Sequence, residues 1–135
     1  MTKILSSFTA CLLLMAAMTA QAAPKTEWVF LEANGDVKHF IEKSSYENSH
    51  WLNEEYLALF RIEYSTPGRT VRAIEGMYDF NCRLKTMRVV YAQTFDSRNR
   101  LLENDGTLGR YFTPKKGSVN EMYWEAACIP AKYKR

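Results

Sequence analysis

The residues best equipped for chemistry are Cys82, Cys128, His39, His50 and the adjacent carboxylates Glu54 and Glu55. A third cysteine, Cys11, falls in an N-terminal apolar stretch that reads as a removable leader. The remaining cysteines form an even pair, and in an exported chain such a pair predicts a Cys82–Cys128 disulfide. The bridge would close a loop of about 47 residues, worth about 4 kcal/mol in the chain-entropy model. A metal pair or a catalytic thiol fits less well. There is no Cys-x-x-Cys, and an oxidising compartment disfavours a free nucleophile.

His39 and His50 are the only histidines, and they lack the His-x-x-x-His spacing of a metal site. The plain expectation for each is an exposed or structural ring. The functional alternative is haem ligation by one of them, which requires an apolar slot with open access. Glu54-Glu55 reads as a solvated entry to a strand or helix, since paired catalytic carboxylates must converge in space. There is no Gly-x-Ser-x-Gly elbow, no P-loop and no dinucleotide fingerprint. The residues therefore predict a binding protein, with no catalytic set and no metal.

The elements that position these residues begin after the leader. Lys3 supplies a positive start, Ile4 to Met18 an apolar run, and Ala20-Gln21-Ala22 a small-x-small cleavage signal. Residues 1–22 thus read as a bacterial secretory signal peptide, and 23–135 as one domain. Phe8-Thr9-Ala10-Cys11 faintly suggests lipid attachment, but a cut there would leave most of the apolar run on the mature chain. The run is too short for a spanning helix, which needs about 20 apolar residues. The formal net charge is +3, with no dense Lys/Arg run, which argues against a nucleic-acid partner. The basic tail Lys132-Tyr133-Lys134-Arg135 reads as a solvated terminus.

The pattern of the domain is mostly β. Strands are expected at 27–33 and 37–42, joined at Asn34-Gly35. Residues 43–53 read as polar and turn-like, with Trp51 the apolar exception. Residues 54–64 favour a strand, and Thr66-Pro67-Gly68 a turn. Residues 70–82 alternate, with Ile74, Tyr78, Phe80 and Cys82 on one face and Glu75, Asp79 and Asn81 on the other. Residues 86–95 are strongly β-prone, and short strands are expected at 100–103 and 110–112. Ser118-Val119-Asn120-Glu121 then matches a capping box. Val119, Met122, Tyr123, Ala126 and Ala127 recur at helical spacing, and Pro130 stops the helix. Cys128 falls away from that apolar face, so it is expected at or just past the last turn. The fold class is α+β: an antiparallel sheet with a C-terminal helix on one face and one disulfide.

One helix cannot cover two faces of a sheet. Tyr56-Leu57-Ala58-Leu59-Phe60 is apolar on both faces, and 13% of the chain is aromatic. Either the sheet curls on itself, or the second face meets a partner or a second copy in a homodimer. Tyr and Trp suit protein recognition.

Trp28, Phe40-Ile41-Glu42, the strand Met77-Tyr78-Asp79-Phe80-Asn81-Cys82, the turn after Phe95-Asp96, the loop 114–118 and the closing Cys128 resemble the surface-adhesin protein E family. Order and spacing carry the resemblance across nearly the whole mature chain. It implies a small exported bacterial protein with an antiparallel sheet, a C-terminal helix and a helix-to-sheet disulfide. It also implies binding of host matrix or plasma proteins, and haem binding. Two places depart from the family. The turn after Asp96 is Ser97-Arg98-Asn99-Arg100, where glycine is usual, and the family's surface lipid attachment has no clear counterpart. The expected function is protein recognition, in the periplasm or at the cell surface, through a sheet face or the loops 43–53 and 96–110. The alternatives are a periplasmic haem or small-ligand binder and, by analogy alone, an inhibitor of a host enzyme such as lysozyme.

Overall fold

A computed structural model describes residues 25–47 and 55–132. The leader 1–22, His50 and Trp51 lie outside the described residues. Six strands form one antiparallel meander: β1 (Trp28–Asn34), β2 (Val37–Glu42), β3 (Tyr56–Tyr64), β4 (Ala73–Asn81), β5 (Thr86–Phe95) and β6 (Leu101–Asp105). A short helix α1 (Lys43–Glu47) follows β2, and helix α2 (Val119–Cys128) follows β6. The expected α+β class, with one C-terminal helix and a Cys82–Cys128 disulfide, is what forms.

Local chemistry explains most boundaries. The first hairpin turns at Gly35-Asp36, one residue later than expected, because Asn34 still pairs with Val37 and Gly35 takes φ +60°. Asn99 sits at φ +58° in the β5–β6 turn, in the left-handed region where asparagine is one of the few side chains tolerated. Asp96 braces that turn: its carboxylate accepts from the Arg98 and Arg100 backbone N–H groups, each at 2.9 Å. Ser118 caps α2 by accepting from the Glu121 N–H at 3.2 Å. The reciprocal arm of the box goes to the Gly117 N–H instead.

Four expectations are corrected. Residues 43–47 form a helical turn rather than open loop, because the Glu42 carboxylate accepts from the Ser45 N–H and hydroxyl and Tyr46 is buried. The fourth strand starts at Ala73 and leaves Cys82 in the following turn. β6 runs on to Asp105, and residues 110–112 contribute a single bridge between Met87 and Phe112. Val119 is exposed, whereas Trp124 and Cys128 are buried, so the buried arc of α2 starts later and is wider than expected. The disulfide joins the last residue of α2 to the turn that follows β4, with a Cα–Cα distance of 5.4 Å.

The core lies between α2 and one face of the sheet. Register places Ile41, Phe60 and Gly76 in one row, Ala58, Tyr78 and Val89 in the next, and Tyr56, Phe80 and Met87 in a third. Tyr123 of α2 stacks on Phe60 with centroids 4.2 Å apart and meets Tyr78 edge-on at 5.6 Å. Gly76 makes room for this: a Cβ there would come within 2.9 Å of the Tyr78 ring.

Candidate functional site

Among the described residues no helix lies over the opposite face of the sheet. Strand alternation puts Phe30, Phe40, Arg61, Glu75 and Gln93 across one row of that face. Leu59, Met77 and Tyr91 form the next row, and Leu57, Asp79 and Arg88 the third. Phe30 is 53% exposed and Leu57 56% exposed. β1 and β6 are the two edges of an open sheet. The expected alternatives were a sheet curled on itself or a second face that meets a partner or a second copy; among the described residues β1 and β6 do not pair and no helix covers that face.

Two polar groups break up this face. In the upper row, the Arg61 guanidinium donates to Glu63 at 2.9 Å and Glu75 at 2.6 Å. The Trp28 and Phe95 rings flank it, with centroids 5.9 and 5.8 Å away. A cation held between aromatic faces and paired with two carboxylates is a rigid, half-buried anchor. In the lower row, Asp79 is only 6% exposed. Its Oδ2 accepts from the Tyr111 hydroxyl at 2.5 Å and from Arg88, whose Nη2 lies at 3.1 Å. Arg88 also lies 4.4 Å above the Tyr111 ring. The hydrogen bond to Asp79 holds the Tyr111 hydroxyl above the usual phenol range. This cluster pins residues 109–112 along β5, where the Gly109 N–H donates to the Val89 carbonyl at 2.8 Å.

The Asp79–Arg88 pairing was not legible: counting back from the expected connection Arg83-Leu84-Lys85 pairs Asp79 with Val89, whereas the turn takes four residues, 82–85, so that Asn81 pairs with Thr86 and Asp79 with Arg88. An aspartate in a strand that otherwise favours apolar and aromatic residues is itself a signal. Tyr111 carried no such signal, because it arrives from 32 residues away through a loop.

The candidate histidines part company. His50 lies outside the described residues. His39 is 5% exposed on the helix side of the sheet, and its Nδ1 shares a 2.8 Å hydrogen bond with the Tyr123 hydroxyl. A crevice of about 120 Å³ beside it is lined by Glu32, Asn34, Ser118 and Met122, well below the roughly 300–1,000 Å³ of ligand pockets. Among the described residues no three His, Cys, Asp or Glu side chains converge as a metal site.

Burial pushes the His39 pKa below its ordinary 6.5, against a smaller opposing pull from Glu32. Well above pH 6.5 the ring is neutral whether the chain is folded or not, so it adds no pH dependence. As pH falls through that value the unfolded chain takes up the proton first, and stability declines until the folded ring also protonates. The urea midpoint should therefore drop between about pH 7.5 and pH 5, and His39→Gln should flatten the drop. Equal slopes in the two proteins would contradict this assignment.

Among the described residues no helix is long and apolar enough to cross a membrane. A family profile described as Surface-adhesin protein E matches residues 28–129. That span runs from the first residue of β1 to the residue after α2, so it covers both sheet faces and both ends of the disulfide. No curated protein matches the sequence.

Proposed function

Because the chain belongs to the surface-adhesin protein E family, we propose that it is an exported, non-enzymatic, adhesin-like protein that recognises a protein partner through the sheet face opposite α2. The observation that carries this reading is the sheet face that no helix covers among the described residues. Phe30, Phe40, Leu57, Leu59, Met77 and Tyr91 share it with the braced Arg61. Aromatic side chains and arginine are the types enriched where proteins meet, and contiguous apolar surface rimmed by polar groups marks such sites. The small-x-small signal at Ala20-Gln21-Ala22 supports export, and export supports the disulfide.

The test has two arms. Immobilised matrix and plasma proteins should capture the mature protein, and Phe30→Glu should weaken capture by about ten-fold or more, as for an interface anchor. An unchanged affinity would remove the face from the reading. Cell fractionation with N-terminal sequencing should find a chain beginning at Ala23 outside the cytoplasm. A chain retained in the cytoplasm with Met1 intact would sink the export half.

A further inference from the structure

The lower row of the open face ends in a cleft of about 460 Å³ lined by Glu55, Leu57, Asp79, Arg88, Val90 and Leu108. Its rims, Leu57 and Leu108, are 56% and 55% exposed. Its floor carries Asp79, a carboxylate more than nine-tenths buried. Every hydrogen bond Asp79 receives through its side chain, from Tyr111 and Arg88, goes to Oδ2. Among the described residues Oδ1 takes none. Oδ1 is therefore the carboxylate oxygen with acceptor capacity left for a donor that enters the cleft. Arg88 is already committed to Asp79 and Tyr111. Glu55, at the mouth, makes no ion pair among the described residues, and its negative charge is felt by Tyr111. The uncommitted charge at the cleft is therefore negative, and the walls are aliphatic.

We infer that this cleft receives a lysine or arginine side chain of the protein partner. The alkyl stem would lie between Leu57 and Leu108, and the cationic head would donate to Asp79 Oδ1 and Glu55. Long basic side chains bury their stems on apolar surface while the charged end reaches a polar partner. A charge-assisted bond to a desolvated carboxylate is the kind of contact that fixes register across an interface. The inference rests on the open face being a protein-recognition surface, and names the chemistry read at one end of it.

NMR titration of the mature protein tests it, with acetyl-lysine methylamide, acetyl-arginine methylamide and the uncharged acetyl-norleucine methylamide as probes. The expected result is saturable movement of the Leu57, Val90 and Leu108 amides with the basic probes. The norleucine probe, lacking a charge-assisted bond, should bind about ten-fold more weakly or worse. Asp79→Asn should reduce the basic probes' affinity. Because that change also disturbs Tyr111, the surface variants Glu55→Gln and Leu108→Ser should each do the same with the fold intact. No movement with either basic probe, or equal movement with norleucine, would overturn the inference, leaving water as the donor. Free cadaverine binding about ten-fold tighter than the capped residues would assign the cleft to a small polyamine instead and overturn the protein source. Partner capture lost in Phe30→Glu yet unchanged in Glu55→Gln and Leu108→Ser would overturn the cleft while leaving the open-face reading standing.

Discussion

Replacing both bridge residues, as Cys82→Ala/Cys128→Ala, should lower the unfolding free energy by about 4 kcal/mol. The bridge spans a sequence separation of 46, which fixes the loop-closure entropy it removes from the unfolded chain. A small domain holds about 5–15 kcal/mol in total, so the loss is a large share. It also falls where the fold can least absorb it. Helix α2 has only ten residues and is too short to persist alone. Its C-terminal end is fixed by the bridge to the turn after β4, and Cys128 belongs to the same buried core as Tyr46, Phe80 and Trp124. Urea unfolding of the variant and parent should show the midpoint falling with little change in slope. A midpoint within about 0.5 kcal/mol of the parent would mean the unfolded chain is already constrained without the bridge. Reductant on the parent should reproduce the variant.

Tyr123→Ala should cost a similar amount, about 3–5 kcal/mol, by the precedent of buried aromatic truncation. Tyr123 is 1% exposed and carries the aromatic contacts of α2 with the sheet. It stacks on Phe60, meets Tyr78 and His39 edge-on, and hydrogen-bonds His39. Burial raises its pKa, so the hydroxyl stays protonated and can donate to a neutral His39. Truncation removes the rings' contacts, opens a cavity and strands a buried imidazole nitrogen. Tyr123→Phe separates these effects, because the rings remain and only the hydrogen bond goes, at about 1 kcal/mol. Thermal and urea unfolding of the pair should therefore rank alanine well below phenylalanine. Equal losses would place the stabilisation in the hydrogen bond and not in the packing.

These two residues mark different depths of legibility. The disulfide was expected from counting, on the reading that residues 1–22 are a leader and set Cys11 aside. Tyr123 was placed on the apolar face of the last helix by periodicity, but its partner His39 lies 84 residues away and no local pattern pairs them. Trp124 was absent from the expected helix face, since periodicity gives a direction and not the width of the surface that covers it. The helical turn at 43–47 was missed for a related reason. Its serines favour loops by propensity, and only the Glu42 carboxylate and the burial of Tyr46 turn them into a helix.

The sequence by itself determined the strands of the meander, the capped final helix, the single cysteine pair and the presence of apolar groups on both sheet faces. All of these depend on neighbours a few residues apart or on residue counts, which short-range sterics and alternation encode. Only the tertiary structure decided which apolar face α2 covers, that His39 lies beneath that helix, and that Tyr111 closes over Asp79 to leave one carboxylate oxygen open in a cleft. Those outcomes join residues tens of positions apart, and they are set by which packing fills the core once the disulfide and Tyr123 have fixed the helix on one side of the sheet.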